Sequence, residues 1–133
     1  MQCQKKIDAH SKGIGGMALH NKRTKQIVAT ASDDCTWKIW NLENQEKIMD
    51  GEGHKDWIAG IDFHPGGTHL VTAGGDKSIK IWDFINQVCA HTFADFHTGP
   101  IWKCKFHDTG DFVLSSSADG AIKLFDLHSL KMR

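Results

Sequence analysis

The sequence predicts an all-β fold built from about three repeated units, each of four short antiparallel strands. The first observation behind this prediction is internal repetition, because segments that begin at His10, His54 and His97 align with one another at spacings of 44 and 43 residues. The second is a series of short stretches of alternating polar and apolar residues, which Gly, Asp and Asn turns separate. The third is that no window keeps a 3.6-residue apolar period, so almost no helix is expected.

The second unit shows the expected elements in chain order. Its first strand contains the apolar residues Ile58, Ile61 and Phe63, and a turn rich in Pro and Gly follows at 64–67. A tight turn at 74–77 precedes a third strand in which polar and apolar residues alternate. The four predicted strands of this unit are 57–63, 69–73, 78–82 and 87–93.

The repeat also sets the expected boundaries within the chain, which we treat as a single region, 1–133. Residues 1–9 are expected to be the last strand of a preceding unit. The first unit carries two additional residues near 22–25, and the third unit is expected to be truncated within its final strand. The three units are predicted at 10–53, 54–96 and 97–133.

Composition and charge exclude several classes of function. Sixteen Lys and Arg residues balance sixteen Asp and Glu residues, and the short cluster Lys22, Arg23 and Lys25 does not supply the basic field that nucleic-acid binding requires. No apolar run approaches the roughly 20 residues of a membrane-spanning helix, and the N-terminal residues lack the apolar core of a signal peptide. Four cysteines without C-x-x-C spacing are typical of reduced thiols in an intracellular protein.

The ends of the units carry the most specific signal. They read Ile39-Trp40-Asn41, Ile81-Trp82-Asp83 and Leu124-Phe125-Asp126, and the second unit opens with Gly53-His54. In this pattern, and in the turn residue Asp76, the chain resembles the WD repeat of β-propeller proteins. The resemblance implies that each unit is one four-stranded antiparallel blade. Because a closed ring takes about four to eight blades, about three blades are expected to form a partial, open propeller.

The resemblance also implies a buried hydrogen-bond network in each blade, formed by His, Ser or Thr, Asp and Trp. A buried indole N–H needs an acceptor, which the hydroxyl supplies, and the carboxylate accepts the remaining imidazole proton. Because Phe125 has no donor, the third blade is expected to be weaker, or wetter near Ser115. The residues that match the network are His10, Thr30, Asp34 and Trp40; His54, Thr72, Asp76 and Trp82; and His97, Ser115, Asp119 and Phe125.

These side chains are not interpreted as a catalytic, cofactor-binding or metal site, and no cofactor or enzyme activity is expected. A Ser-His-Asp triad would occur once, whereas this arrangement recurs in every unit. Six of the nine histidines occupy repeat positions, including His20, His64 and His107, which disperses them instead of grouping them as metal ligands. The segment 13–18 fits the G-x-G-x-x-A form of a dinucleotide loop, but it aligns with a first strand and opens no helix.

Aromatic residues suggest where partners bind. The pairs Trp37/Trp40 and Trp57/Trp102 could form a stacking platform for nucleic-acid bases, but Trp40 is a core position of its blade. We expect Trp37 and Trp102 to pack between blades. Trp57 has two open interpretations, which are packing between blades and contact with a partner. The residues expected to border the partner-binding face are Gly13, Asp33, Trp57, Gly75, Pro100 and Ala118.

A narrower resemblance rests on the segments 30–40, 51–70 and 74–84, in which Trp37 and the run GEGHKDW are less generic than the WD signature. These segments are similar to the WD-repeat region of the sperm-associated-antigen type family of the ciliary central apparatus. The resemblance implies a scaffold of the axonemal central apparatus in motile cilia and flagella, located in the cytoplasm and cytoskeleton, with central-pair proteins as partners. From the charge balance and the short apolar runs given above, we expect no contact with nucleic acid and no membrane insertion.

Two further expectations stay open at this level. The function is alternatively that of a generic WD-repeat adaptor in another intracellular complex, such as a ubiquitin ligase or a trafficking complex. An open arc of blades also leaves unpaired edges, which are expected to pair with further blades or with another chain. The chain is therefore interpreted either as a piece of a longer propeller or as a partial propeller that assembly completes.

Overall fold

The computed structural model describes residues 2–20 and 26–132, and in these residues it contains strands and no helix. The all-β prediction is therefore confirmed. The two additional residues near 22–25 and the basic cluster of Lys22, Arg23 and Lys25 lie outside the described residues. The strands are β1 (Ile14–Leu19), β2 (Ile27–Ser32), β3 (Trp37–Asn41), β4 (Glu46–Gly51), β5 (Ile58–Phe63), β6 (His69–Gly74), β7 (Ile79–Asp83), β8 (Val88–Phe93), β9 (Ile101–Phe106), β10 (Phe112–Ser117), β11 (Ile122–Asp126) and β12 (Lys131–Met132).

The strands form three separate antiparallel sheets of four strands each. In each sheet the strands are hydrogen-bonded in chain order, β1 to β4, β5 to β8 and β9 to β12, so consecutive strands of a sheet are antiparallel neighbours. We call these sheets blade 1, blade 2 and blade 3. The blades do not close into a ring, which confirms the prediction of three four-stranded blades in a partial propeller.

Bulges recur at equivalent places in the blades. The pairing of the first two strands shifts between Ile14 and Gly16 in blade 1 and between Ile58 and Gly60 in blade 2. A bulge bends its strand and increases the local twist, so the repetition gives the blades a common shape. Glycine is required at Gly60, because a Cβ there would lie 2.8 Å from the backbone nitrogen of Cys104 in blade 3.

The core lies between the blades. Each blade has two faces because successive side chains of a strand point to opposite sides of the sheet. Burial of these apolar faces stabilises the array and fixes the rotation from one blade to the next. The cluster between blades 1 and 2 contains Ala18, Ala29, Ala31, Trp37, Ile39, Ile58, Ile61, Phe63, Leu70 and Trp82. The cluster between blades 2 and 3 contains Val71, Ala73, Ile79, Ile81, Phe93, Ile101, Cys104, Phe106, Val113 and Phe125.

The segment before blade 1 differs from a regular strand. Residues 2–13 form no strand with the rest of the described chain, although Lys5 Nζ donates to the carbonyl oxygens of Leu42 and Glu43 at 2.8 and 3.0 Å. The assignment of residues 1–9 to a preceding blade stays a prediction, because the pairing that it needs involves a strand outside this array. None of the described residues belongs to a helix that is long and apolar enough to cross a membrane.

Candidate functional site

A chain of hydrogen bonds runs through blade 2 from the indole of Trp82 to the carboxylate of Asp76. The Trp82 indole N–H donates to Thr72 Oγ1 at 2.8 Å. The Thr72 hydroxyl then donates to His54 Nε2 at 2.7 Å, and His54 Nδ1–H donates to Asp76 Oδ2 at 2.9 Å. Thr72 is fully buried and does not reach water. Its hydrogen bonds to Trp82 and His54 take the place of those that water would make. The chain ties two strands, β6 and β7, to the turn between them and to the entry segment of the blade.

Blade 1 contains the same chain of bonds. Trp40 donates to Thr30 Oγ1 at 3.1 Å, Thr30 lies 2.7 Å from His10 Nε2, and His10 Nδ1 lies 3.0 Å from Asp34 Oδ2. The structure thus brings together the four residues that the sequence singled out in each of the first two units. The same side chains meet in both blades because β2 and β3 pair in the register that β6 and β7 repeat.

A fifth residue completes each of these networks and was missed from the sequence. The hydroxyl of Thr36 donates to Asp34 Oδ1 at 2.6 Å, and the hydroxyl of Ser78 donates to Asp76 Oδ1 at 2.8 Å. Each stands two residues after the turn Asp, and a hydroxyl at that spacing was the signal that could have found it. The second carboxylate oxygen therefore has a partner as well.

Hydrogen bonds hold the turn aspartates in their ionised form. Burial raises the pKa of Asp76, but the hydrogen bond from His54 and the electrostatic attraction between the two side chains, together with the bonds from Ser78, outweigh it and leave the pKa well below its ordinary value. Burial likewise raises the pKa of Asp34, and the bonds from Thr36 and His10 outweigh it. The carboxylates act as fixed acceptors that orient the imidazole rings.

Blade 3 has a shorter network. His97 Nε2 lies 2.6 Å from Ser115 Oγ, and His97 Nδ1 lies 2.9 Å from Asp119 Oδ2. Phe125 is fully buried but offers no donor to Ser115, and Ala121 stands where the other blades have Thr36 and Ser78. Hydrogen bonds from His97 and from two backbone N–H groups still lower the pKa of Asp119, from 3.8 to about 2. Two of the network positions of blade 3 are therefore apolar.

The networks are not placed for chemistry on a substrate. The Thr72 hydroxyl is inaccessible and already bonds Trp82 and His54, so no position remains for an attacked carbonyl. No group of three or more His, Cys, Asp or Glu side chains that could hold a metal ion occurs in residues 2–20 and 26–132. The role that this geometry supports is to stiffen each blade.

The six residues expected on the partner-binding face are joined in pairs, one pair in each blade. The same backbone hydrogen bond occurs in all three, since the N–H of the residue before the turn Asp donates to a carbonyl at the entry of the first strand. It links Asp33 to Gly13 at 2.9 Å, Gly75 to Trp57 at 2.8 Å, and Ala118 to Pro100 at 2.9 Å. Loops held in this way present their side chains at a fixed end of the blades.

Two tryptophans stack where blades 2 and 3 meet at this end. The rings of Trp57 and Trp102 lie 5.1 Å apart at an angle of 21°. Trp57 is half-buried because its indole lies over Gly75, where a Cβ would come within 2.6 Å of the ring. Trp102 keeps 50% of its surface exposed. Together with a cavity of about 490 Å³, they form what we call the aromatic surface, which is lined by Gly15, Asp33, Trp57, Ala59, Trp102 and Lys103.

The structure qualifies two expectations about tryptophan. Trp102 contacts Trp57 across the blade boundary, but the expectation that it packs between blades is incomplete because half of the ring faces solvent. For Trp57, both open interpretations hold in part, since the residue packs against a neighbouring blade and also lines the aromatic surface. Trp37 and Trp40 are buried in the blades, so they offer no platform for bases.

The second column of histidines connects neighbouring blades. His64 Nε2 lies 3.1 Å from the carbonyl oxygen of Gly110, and His20 Nε2 lies 3.4 Å from that of Gly67. His107, in the same position of blade 3, bonds Thr109 within its own turn at 3.0 Å. Two of the three members, His20 and His64, are therefore part of the blade contacts.

Comparison with a protein-family model assigns all three units to one repeat type. The model described as "WD domain, G-beta repeat" matches residues 1–41, 45–83 and 87–126. The matched ranges end at the third strand of each blade, β3, β7 and β11, and the second and third ranges begin before the last strand of the preceding blade, β4 and β8. Together they cover more than half of the chain.

Curated proteins with similar sequences belong to several different assemblies. The chain is 34% identical over 79% of its length to Lissencephaly-1 homolog 1 of Paramecium tetraurelia, 30% identical over 97% to Pre-mRNA-processing factor 19 homolog 2 of Arabidopsis thaliana, and 25% identical over 93% to the probable coatomer subunit beta' of Schizosaccharomyces pombe. The chain spans only 26%, 24% and 16% of the length of these relatives, respectively. The similarity is therefore to the blades of much longer proteins.

Proposed function

The chain belongs to the WD40 repeat family, and we propose that it is a non-catalytic scaffold that binds other proteins through its aromatic surface. The observation that carries the proposal is the stack of Trp57 on Trp102, with half of Trp102 exposed. Proteins of this family bind other proteins. Large, rigid aromatic side chains are enriched among the residues that dominate the energy of protein interfaces.

The surroundings of the stack suit a partner with both polar and apolar groups. Asp33 and Lys103, which carry opposite charges, line the cavity together with the small residues Gly15 and Ala59. The blades on which these residues lie are stiffened by the three hydrogen-bond networks. A rigid surface loses little conformational entropy when a partner binds, which favours affinity.

The narrower proposal is that the partners are proteins of the axonemal central apparatus, so that the chain lies in the cytoskeleton of a motile cilium or flagellum. Support comes from the resemblance carried by Trp37 and by the segment 51–57. In the structure these segments meet, because Trp37 of β3 packs against Gly51 at the end of β4. The segment 51–57 also leads directly into Trp57 of the aromatic surface.

The second candidate is a generic WD-repeat adaptor in another intracellular complex, such as a trafficking or ubiquitin-ligase complex. The observation that favours it is the variety of the similar proteins, whose names place one in coatomer and another in pre-mRNA processing. The aromatic surface serves either candidate, since both require only a partner-binding face.

The location of a tagged chain in ciliated cells, with and without a central pair, separates the two candidates. The central-apparatus proposal expects axonemal signal that is lost in cilia without a central pair. Signal in the cell body that does not depend on the central pair would contradict it and favour the generic adaptor.

Two variants test the aromatic surface in the same cells. Trp102→Ala removes the exposed half of the stack, and we expect it to abolish the localised signal. Ile85→Ala alters an equally apolar residue that is 77% exposed and lies outside the cavity lining, so it is the matched control. Localisation of Trp102→Ala at the wild-type level would show that partners bind elsewhere.

A further inference from the structure

A cavity of about 400 Å³ opens where blades 1 and 2 meet, between β4 and the turn that joins β7 to β8. We call it the outer cavity. The aromatic surface lies at the opposite edge of the sheets, on the side of the first strands β1 and β5. The outer cavity is lined by the rings of Trp37 and Trp82, by Gly51, and by the carboxylates of Asp50, Glu52 and Asp83, among others.

The outer cavity exists because a glycine stands at a paired position where the next blade has an aromatic residue. Trp37 pairs with Gly51 in blade 1, and the same place in the register of blade 2 pairs Ile79 with Phe93. Phe93 is 2% exposed and packs on Phe125 with centroids 4.7 Å apart, so it fills the boundary between blades 2 and 3. Trp37 covers Gly51 but leaves the outer cavity open. Both blades that form its walls belong to this chain, so a further blade at either end of the array would not cover it.

A buried donor at the wall of the outer cavity lacks an acceptor. Trp37 is 2% exposed, and its Nε1 has no hydrogen-bond partner among the described residues. The Trp82 indole, by contrast, donates to Thr72. Trp37 Nε1 lies on the side of the ring that faces Gly51, because a Cβ there would overlap it, and both residues line the cavity. A carbonyl oxygen that enters the cavity would supply the acceptor that this donor needs.

The charge of the outer cavity is negative. Three carboxylates line it, and no Lys, Arg or His in the described part of the chain does so. The hydrogen bond from Lys47, at 2.8 Å, lowers the pKa of Asp50, and the bond from Asn86 lowers the pKa of Asp83, so both are ionised at neutral pH. Glu52 is exposed and forms no ion pair with the described residues. This charge favours a cationic occupant.

We propose that the outer cavity binds an arginine of a partner protein, in a segment that has apolar residues on both sides of that arginine. The guanidinium lies among the three carboxylates, and a main-chain carbonyl of the segment accepts the Trp37 indole N–H. Arginine fits better than lysine because its planar group stacks on aromatic rings and donates to two carboxylate oxygens at once. Ile48 and Val88, which are 51% and 52% exposed, line the cavity and contact the flanking apolar side chains.

The site goes beyond the proposed function, because it lies apart from the aromatic surface. Since the two surfaces occupy opposite edges of the sheets, one chain can hold two partners at once. Failure of either proposal therefore leaves the other standing.

The test compares two peptides that differ in one charge. The probe is acetyl-Ala-Leu-Arg-Leu-Ala-amide, and in the control peptide citrulline, which has the shape of arginine without its charge, replaces the arginine. The five tryptophans of the chain give indole N–H signals in a proton–nitrogen correlation spectrum, and that of Trp37 is assigned through its contact with Gly51. We expect the probe to shift the Trp37 signal until it saturates, and the control peptide to bind at least about tenfold more weakly.

Variants of the chain locate the peptide. Glu52→Gln removes an exposed carboxylate of the outer cavity and should weaken binding of the probe about fivefold. Glu46→Gln makes the same change of charge at the other end of β4, outside the cavity lining, and is the matched control that should bind as wild type does. Trp102→Ala, which disrupts the aromatic surface, should also leave binding of the probe unchanged.

Several results would overturn the proposal. Equal affinity for the two peptides would remove the role of the charge, and a Trp37 signal that does not move would place the peptide elsewhere. Unchanged binding by Glu52→Gln would exclude the carboxylates, and lost binding by Trp102→Ala would assign the peptide to the aromatic surface. A Trp37 signal that shifts with chain concentration in the absence of peptide would assign the outer cavity to a second copy of the chain.

Discussion

The indole ring of Trp37 packs directly against Gly51, its paired residue on β4. A Cβ at Gly51 would overlap the ring. On its other side Trp37 meets Trp82 of blade 2 edge-on, with ring centroids 5.1 Å apart. Trp37 Nε1 is buried without a hydrogen-bond partner among the described residues. Packing alone therefore holds this ring, which joins blade 1 to blade 2.

Gly51→Ala should lower the free energy of unfolding by about 1–3 kcal/mol, because the added methyl group pushes Trp37 out of the contact between blades. Urea unfolding followed by tryptophan fluorescence measures the change. The neighbouring exposed variant Glu52→Ala is the control and should stay within about 0.5 kcal/mol of wild type. A Gly51→Ala protein as stable as the control would mean that β4 moves aside without cost.

Trp82→Phe should convert blade 2 into a network like that of blade 3, since it keeps an aromatic ring and removes the donor to Thr72. The lost bond is expected to cost about 1 kcal/mol, whereas Trp82→Ala, which also leaves a cavity, should cost about 3–5 kcal/mol. Equilibrium unfolding of both variants gives the comparison. If Trp82→Ala lost less than about 1 kcal/mol, the place of Trp82 in the core would be wrong.

Stability should fall as the pH is lowered from about 4 to about 2, because this is the range between the pKa of an unfolded Asp and that of Asp119 in the folded chain. The folded state binds the proton less readily than the unfolded state, so the contribution of Asp119 is complete above about pH 4 and is lost below it. Asp34 and Asp76 act in the same direction.

Asp76→Asn checks this account of acid sensitivity. The variant should be less stable than wild type at neutral pH, because the ionised acceptor of His54 is gone, and it should lose less further stability on acidification. Urea midpoints measured from about pH 2 to about pH 6 give both effects, because this interval brackets the ordinary pKa of Asp. Equal slopes for the variant and wild type would contradict a role for this carboxylate in acid unfolding.

Gly75→Ala should separate the Trp57 and Trp102 rings, because the new Cβ would come within 2.6 Å of the Trp57 indole. The two stacked indole rings give an exciton couplet in the circular dichroism spectrum, which is the paired signal, and we expect the variant to lose most of it. Trp102→Ala should abolish the same signal at a cost in stability of less than about 1 kcal/mol, since only half of that ring is buried. A paired signal that survives Trp102→Ala would have another source.

Cys104 should be unreactive toward iodoacetamide in the folded chain. It is buried with 1% of its surface exposed, and burial raises the pKa of its thiol, so the reactive thiolate is scarce. Cys3 and Cys89 are exposed and should be alkylated first, which peptide mass spectrometry after a short pulse shows. Alkylation of Cys104 at the rate of Cys89 would mean that blades 2 and 3 separate readily.

The all-β class, the blade count and the strand order were predictable because each depends on short-range pattern. Alternation along 78–82 places Ile79 and Ile81 on one face whatever surrounds them. Hairpins then pair consecutive strands, and the repeat assigns the same role to His54 and His97. The ciliary assignment rests on resemblance alone and stays a proposal, because the function of a scaffold lies in loops whose partners the repeat pattern does not specify.

The sequence, through its repeat and the resemblance that the repeat carries, determined the four-residue sets of blades 1 and 2, because these lie within one period of the repeat. It missed the hydroxyls of Thr36 and Ser78. Only the tertiary structure decided what happens between blades. Trp57 stacks on Trp102, Asp62 accepts a bond from Phe106, and Met17 stays exposed while its counterpart Ile61 is buried. These relationships depend on how one sheet is rotated against the next, which the packing of whole faces sets and no local pattern encodes.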